Sequence, residues 1–362
     1  MGDSMLARRK VFFSPLLDFF LIGGGALVAY FIVLACQLDR ASFDIVWLAW
    51  ILAFFVNGPH FLISYEILYL GHRHRLISDP KFFWAGVLAP SLLIACVGYA
   101  LWEGNVSLFK AALYTMFFTV GWHYIKQAYG CFVVYSAGQG VFFSALEQKI
   151  IKYALFPLWW SSFLRLFTVD AVGEYWGLKY SLPPVLIQWA GCVYWLSLIG
   201  VLPLAWVFLR RWKNGKEWPG LTAVTPLVVV YIWLSPLLRH DLFFYIIPLF
   251  HSLQYLLFSG AYTRGKVRRA GSGYRGYIMW WGMAFALAAL LFYLVPTRLD
   301  ALKILPGGLP YNSFLIVFIV FINIHHYIID SVIWQGGNKE VRDNLQMRPL
   351  KPSEGLGQLK MD

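Results

Sequence analysis

Long apolar stretches separated by short polar segments follow one another along this chain of 362 residues. About 20 consecutive apolar residues let a helix cross the hydrocarbon core of a bilayer, and the pattern contains ten runs of this kind. Pro157 and Arg165 interrupt the fifth run. The predicted helices cover residues 14–36, 43–70, 82–102, 108–136, 150–169, 182–209, 219–236, 240–262, 276–295 and 311–334.

The composition excludes an ordinary soluble protein. Hydrophobic residues make up 59% of the chain and charged residues only 13%, whereas a soluble domain is about 25% charged. So little charge cannot cover a globular surface of this size. We therefore predict an all-α fold, a polytopic integral membrane bundle of about ten transmembrane helices.

The basic residues predict the orientation of the bundle. With a cytoplasmic N-terminus, 22 of the 30 Lys and Arg residues fall on the cytoplasmic side and 7 on the other, with Lys126 inside a helix. This bias follows the positive-inside rule, which explains the net charge of +12 without a nucleic-acid partner. We expect both termini in the cytoplasm, a single transmembrane domain over residues 1–336, and a short, loose polar tail over residues 337–362.

Five of the eight histidines lie near the middle of predicted membrane helices, where ionisable side chains are costly and usually functional. They belong to the second, fourth, eighth and tenth helices. These four helices all run in the same direction, so their histidines are expected at one depth, within about two helical turns. The five residues are His60, His123, His251, His325 and His326.

This arrangement predicts an intramembrane metal site. Imidazoles combined with one carboxylate suit iron, copper or zinc rather than calcium or magnesium, and we expect iron. The predicted ligands are His60, His123, His251, His326 and Asp330. Polar residues one helical turn away are expected to orient the ligands, together with the neighbouring histidine; these are Asn57, Gln127, Gln254, Asn323 and His325.

The remaining polar residues have simpler interpretations. A single histidine in a membrane helix often only bonds to a neighbouring helix, for about 0.6 kcal/mol on average, but four helices at one depth are harder to explain in this way. His72 and His74 are expected in a solvated basic loop. Glu66 is expected at the inner mouth of the bundle, and Lys126 is expected to extend to the interface or pair with a carboxylate.

Histidines on separate helices of an all-helical membrane protein resemble the organisation of the bacterial Brp/Blh family of β-carotene dioxygenases, whose histidines are thought to bind iron. The resemblance covers organisation and assigns no catalytic residue. It implies a metal-dependent oxidoreductase in the bacterial inner (plasma) membrane that acts on an apolar lipid or isoprenoid with dioxygen. The HxxxH and HxxHH boxes of membrane desaturases are absent, which argues against the di-iron fatty-acid enzymes.

Two other functions remain open at this point. A haem b or quinone redox protein would use two facing histidines as axial ligands. A proton-coupled transporter would use the histidines with Asp330, Glu66 and Lys126 as a proton relay.

Overall fold

The computed structural model describes residues 10–38, 43–169, 171–345 and 347–349, and it is 76% helical. In chain order the α-helices are α1 (Pro15–Phe19), α2 (Gly25–Ala35), α3 (Phe43–Tyr65), α4 (Arg75–Ser78), α5 (Pro80–Phe83), α6 (Ala89–Trp102), α7 (Val106–Gly138), α8 (Ala145–Ala154), α9 (Phe156–Leu164), α10 (Ala190–Ile199), α11 (Val201–Lys213), α12 (Leu221–Leu234), α13 (Phe243–Arg269), α14 (Gly273–Ala289), α15 (Val295–Ala301), α16 (Ser313–Ile333) and α17 (Lys339–Asn344). Wider helical turns cover Phe20–Gly24, Glu66–Gly71, Trp84–Leu88 and Leu290–Leu294, and 3₁₀ turns cover Arg165–Phe167 and Ile187–Trp189. The strands are β1 (Lys10–Val11), β2 (Ala171–Tyr175), β3 (Leu178–Leu182) and β4 (Arg348–Pro349).

The chain is a helical membrane protein. Within the described ranges, five helical segments are long and apolar enough to cross a bilayer. The predicted total of ten spans is a finer statement and stays a prediction. The five segments are Pro15–Ala35, Pro80–Trp102, Ile187–Lys213, Gly273–Ala301 and Ser313–Ile333.

Four helices at the centre of the bundle position the predicted histidines. Helix α3 packs on α13 and α16, and α16 also packs on α7. These helices contain 23 (α3), 33 (α7), 27 (α13) and 21 (α16) residues. At about 1.5 Å per residue, each is at least as long as a bilayer core is thick. Two apolar clusters include residues of these helices, one around α7 and α12 and one around α3, α13 and α16.

Two predicted membrane helices are each divided into two in the structure, although the second division leaves Ile187–Lys213 long and apolar enough as a whole to cross a bilayer. The segment predicted over 150–169 forms α8 and α9, because Pro157 lies in the first turn of α9, where a missing N–H costs nothing. The segment predicted over 182–209 contains α10 and α11, which meet at Gly200. A Cβ on Gly200 would collide with the carbonyl oxygen of Ala154. Glycine is therefore what allows α8 to approach this junction.

A β-hairpin that the sequence did not predict lies between the two broken helices. Strands β2 and β3 pair antiparallel. Trp176 and Gly177 at the tip have φ values of 52° and 89°, as a two-residue hairpin turn requires. Leu178 is buried in an apolar cluster with Ile316 and Val320 of α16. The hairpin thus packs against one end of the histidine-bearing helices.

The beginning and end of the described chain lie side by side, since Lys10 of β1 pairs with Pro349 of β4. The segment after residue 336, which we expected to be loose, folds against the bundle where it is described. Val341 is buried, and the buried Asn338 side chain donates a 3.0 Å hydrogen bond to the Ile333 carbonyl.

Helix α8 begins with a capping box that also carries a perturbed carboxylate. The Ser144 side chain accepts from the Glu147 N–H at 3.2 Å, and the Ser144 N–H donates to the Glu147 carboxylate at 2.7 Å. Arg211 and Lys216 lie 3.4 and 3.9 Å from that carboxylate. Burial raises the pKa of Glu147, but the Ser144 hydrogen bonds and the two positive charges outweigh burial and hold the pKa below its ordinary value.

Candidate metal centre

Four buried histidines meet where α3, α7, α13 and α16 converge. One ring nitrogen each from His60, His123, His251 and His326 lies within 4.8 Å of all the others. The ring centroids of neighbours are 4.4 Å apart for His60–His326, 5.0 Å for His60–His251, 4.8 Å for His123–His251 and 5.0 Å for His123–His326. The four imidazoles therefore form a closed, four-sided group, which we call the histidine ring.

The spacing of the ring nitrogens suits a single metal ion. With metal–nitrogen bonds of about 2.1 Å, adjacent ligands lie about 3.0–3.4 Å apart and opposite ligands about 4.2 Å apart. The Nε2 atoms of His123 and His251 are 3.1 Å apart. The longest separation, 4.8 Å, closes with small inward movements of the rings. Four buried histidines so arranged could hold a metal ion.

The surroundings of His60 fix which nitrogen faces the centre. Its Nδ1 lies 3.2 Å from Asn57 Oδ1 and 3.2 Å from Ser252 Oγ, and the Ser252 hydroxyl donates to Asn57 Oδ1 at 2.8 Å. An amide oxygen can only accept, so we infer that His60 Nδ1 carries the proton. The Nε2 lone pair is then left for the centre, and this buried atom has no hydrogen-bond partner among the described residues.

His326 is oriented in the same sense by a serine on another helix. The Ser64 hydroxyl donates to the Phe61 carbonyl at 2.6 Å, and its oxygen lies 2.8 Å from His326 Nδ1. Since the hydroxyl proton is already used, His326 Nδ1–H is the donor to Ser64. The buried Nε2 of His326 also has no hydrogen-bond partner in the described part of the chain. Two of the four imidazoles thus present unprotonated nitrogens to one point, as metal ligands must.

Asp330 places a carboxylate beside the histidine ring. Its Oδ2 lies 3.2 Å from His326 Nε2, without hydrogen-bond geometry, and 3.8 Å from His123 Nε2. Its Oδ1 accepts a 3.2 Å hydrogen bond from the Tyr255 hydroxyl. One oxygen is therefore anchored while the other faces the nitrogens, a position from which it could act as a fifth ligand.

The two glutamines connect helices rather than contact the imidazoles. Gln127 Nε2 donates to the His251 carbonyl at 2.9 Å and to Gln254 Oε1 at 3.0 Å. Gln254 Nε2 in turn donates to the Ile22 carbonyl at 2.6 Å. These bonds hold α7, α13 and the first membrane segment together beside His251.

Asn323 also contacts the histidine ring only through another side chain. Its amide nitrogen donates to the Ile319 carbonyl at 2.7 Å, and its oxygen accepts from the Tyr327 hydroxyl at 2.8 Å. The Tyr327 ring stacks on His123 at a centroid distance of 4.5 Å. Asn323 therefore supports His123 through Tyr327, and in the described part of the chain it makes no hydrogen bond to His326 on its own helix.

His325 lies outside the histidine ring, and both of its nitrogens are used elsewhere. Its Nε2 lies 2.8 Å from the Ala85 carbonyl and its Nδ1 lies 2.7 Å from the Tyr65 hydroxyl. Because a carbonyl only accepts, Nε2 carries the proton and Tyr65 donates to Nδ1. His325 joins α16 to α3 and to the turn before α6.

Glu66 and Lys126 do not join the histidine ring. Glu66 is buried in the wide turn after α3, and its carboxylate oxygens have no hydrogen-bond partner in the ranges the structure describes. The Lys126 ammonium lies 4.1 Å from the ring centroid of Trp122 on the same helix.

The expectation of a solvated loop is wrong for His72 and fits His74. His72 is fully buried, and its Nδ1 donates to the Ile67 carbonyl at 2.9 Å while Asn338 donates to its Nε2 at 3.0 Å. The wide turn Glu66–Gly71 directs the ring inward, where it stacks on Phe82 at 5.2 Å. His74 is exposed.

Several residues around the ring were missed from the sequence, among them Ser252, Tyr255 and Trp334. Ser252 adjoins His251, and Tyr255 follows His251 by four residues on α13, which places it on the same helical face. The same spacing relates Trp334 to Asp330. Helical periodicity could therefore have found both aromatic residues.

The sequence matches no known protein family, no curated protein and no solved structure. Any assignment of function must therefore rest on the histidine ring and its surroundings.

Proposed function

We propose that this protein is an integral membrane oxidoreductase that binds iron at the histidine ring and uses dioxygen to oxidise an apolar lipid or isoprenoid. The observation that carries this proposal is the convergence of His60, His123, His251 and His326, all buried, with ring nitrogens within 4.8 Å. Four imidazoles beside the Asp330 carboxylate form a donor set suited to a redox-active transition metal and unsuited to calcium or magnesium.

The fixed orientation of the imidazoles would contribute to ion binding as much as the charge of the Asp330 carboxylate. Asn57 and Ser64 fix the protons on the outer nitrogens of His60 and His326, so the inner nitrogens need not lose a proton before binding. Bound iron would supply one-electron chemistry and a place for dioxygen to react. The buried position would keep water away from reactive oxygen species.

The proposed substrate class follows from the lipid bilayer that surrounds the helices. A centre among membrane helices is reached more readily by an apolar molecule dissolved in the bilayer than by a charged metabolite. The proposal includes ten membrane spans, both termini in the cytoplasm, and a bacterial inner membrane.

The histidine ring supports this proposal better than the two alternatives. A haem b would need a flat macrocycle between two facing imidazoles, but neighbouring rings at 4.4–5.0 Å close that space on all four sides. A proton relay through Glu66 and Lys126 is less well supported, because neither contacts the histidine ring through a bond that the described structure shows.

Isotope-labelled dioxygen tests the proposed function. The iron-loaded protein in lipid nanodiscs is incubated with labelled dioxygen and a mixture of long-chain isoprenoids and acyl lipids, and mass spectrometry follows the products. We expect label in an apolar product from the parent and His74→Ala, and none from His326→Ala. A parent that binds iron yet oxidises neither substrate class would contradict the proposal.

A further inference from the structure

A second set of aromatic residues begins at the histidine ring and leads away from it. The buried Tyr255 ring lies edge-to-face with His60 at 4.4 Å and with His326 at 5.5 Å. Its hydroxyl donates to Asp330 Oδ1 at 3.2 Å and accepts from Trp334 Nε1 at 3.2 Å. The phenolic proton is therefore directed at a carboxylate that adjoins the proposed metal position.

The set continues to the protein surface beside α17. Trp334 contacts Tyr255 and Tyr262 with ring centroids 5.7 and 6.2 Å away, both within the range of aromatic pairs. Tyr262 is buried on the same helix as Tyr255, two turns further on, and its hydroxyl donates to Glu340 at 3.0 Å. The Glu340 side chain is 32% exposed, so the set ends at solvent.

The hydrogen bonds of these two tyrosines match what one-electron oxidation of a phenol requires. A phenol that loses an electron also loses its proton, and the loss is easiest when an acceptor is already hydrogen-bonded. Tyr255 and Tyr262 each donate to a carboxylate, and the Trp334 ring lies between them.

We propose that Tyr255, Trp334 and Tyr262 form an electron relay between the histidine ring and the protein surface beside α17. That electrons flow toward the histidine ring rests on the proposed function. Tyr255 passes one electron to the oxidised centre and its phenolic proton to Asp330, forming a neutral phenoxyl radical. Tyr262 then supplies an electron through Trp334 and its own proton to Glu340, while Tyr255 regains the proton from Asp330.

A separate electron-donor protein completes the relay. A soluble one-electron donor, such as a reduced flavin or iron–sulfur protein, returns an electron to Tyr262, and Glu340 returns the proton. The net change for each cycle is one electron moved from the donor to the centre, with no net proton uptake by the relay. The proposal therefore assigns the surface around Glu340 to electron entry.

A third tyrosine provides a matched control. Tyr135 is buried and donates to Asp18 at 3.0 Å, just as the relay tyrosines donate to their carboxylates. Its ring contacts Phe12 and Phe258, and among the described residues Trp334 has its aromatic contacts with Tyr255 and Tyr262 instead. The Tyr135→Phe variant thus removes an equivalent hydroxyl away from the relay.

The first test needs no metal. A ruthenium photo-oxidant is attached to the exposed His74 in a His240→Gln background, so that the remaining histidines are buried, and flash-quench absorption follows hole transfer into the metal-free protein. We expect a tyrosyl radical in the parent and in Tyr135→Phe, its loss in Tyr262→Phe, and a smaller radical yield in Trp334→Phe, where the hole cannot pass beyond Tyr262. Equal radical yield and oxidant lifetime in all four proteins would overturn the relay, whether or not the histidine ring binds metal.

The second test connects the relay to the centre. Iron-loaded protein is reduced, mixed with dioxygen and freeze-quenched, and metal content is measured on each sample. At equal iron content, electron paramagnetic resonance should show a tyrosyl radical in the parent and in Tyr135→Phe but not in Tyr255→Phe. A radical undiminished in Tyr255→Phe would also overturn the relay, whereas absence of iron from the parent would count against the proposed function alone.

Discussion

Ser64→Ala tests the inferred orientation of the metal ligands at the level of one hydrogen bond. The substitution removes the acceptor of the His326 Nδ1 proton, which lies 2.8 Å away in a fully buried position. In the metal-free protein the proton can move to Nε2, where a small rotation of Asp330, whose Oδ2 lies 3.2 Å away, would let that oxygen accept it. Metal binding must reverse that shift and leave a buried N–H without a partner, at a cost of about 1–3 kcal/mol.

This cost falls on the metal-bound state, so it should appear in affinity. Since about 1.4 kcal/mol is a tenfold change, we expect metal affinity to fall about 10–100-fold, the range usual for loss of a partner behind a ligand. Ser259→Ala is the matched control, because Ser259 is equally buried and donates only to backbone carbonyls of its own helix. Competition titration with a chelator of known affinity measures both variants. Equal affinities would refute the assignment of the His326 proton.

Three further predictions concern the framework. Gly200→Ala should lower the unfolding temperature by overpacking worth about 1–3 kcal/mol, whereas Gly191→Ala, which has open space for a Cβ, should not. His72→Ala should destabilise the bundle by about 3 kcal/mol through loss of a buried ring, and His74→Ala should leave the unfolding temperature unchanged. Because the pKa of Glu147 is lowered in the folded protein, the ionised carboxylate stabilises the fold above its unfolded pKa of about 4.3. This stabilisation is lost as the pH falls through the folded pKa. Glu147→Gln should therefore flatten the fall of unfolding temperature between about pH 5 and 3. Identical slopes in parent and variant would contradict the last expectation.

The sequence was sufficient to find the members of the histidine ring. Direction and spacing of the apolar runs determine the depth of each residue, and histidine is unusual at that depth. The sequence could not determine which neighbouring side chain orients which imidazole, because that depends on how each helix is rotated and on which helices are in contact. Ser64 shares a helical face with His60 yet bonds to His326, and Asn323 shares a helix with His326 yet bonds to Tyr327.

Local departures from regular helix explain where the fold predicted from the sequence was most clearly wrong. The basic sequence around His72 predicts a solvated loop, but the wide turn Glu66–Gly71 changes the direction in which the ring points. The hairpin of β2 and β3 carries apolar residues in runs too short to distinguish a strand from part of a helix. Its position depends on contacts with Ile316 and Val320, which are more than a hundred residues away in the chain.

Metal content of the purified protein tests the central claim most directly. The protein is expressed in iron-replete medium, purified in detergent, and analysed for all transition metals alongside His326→Ala and His74→Ala. The histidine ring predicts one ion per chain in the parent and in His74→Ala, and loss of that ion in His326→Ala. A parent without any transition metal, or equal metal content in all three proteins, would contradict the claim that the four buried histidines form a metal centre.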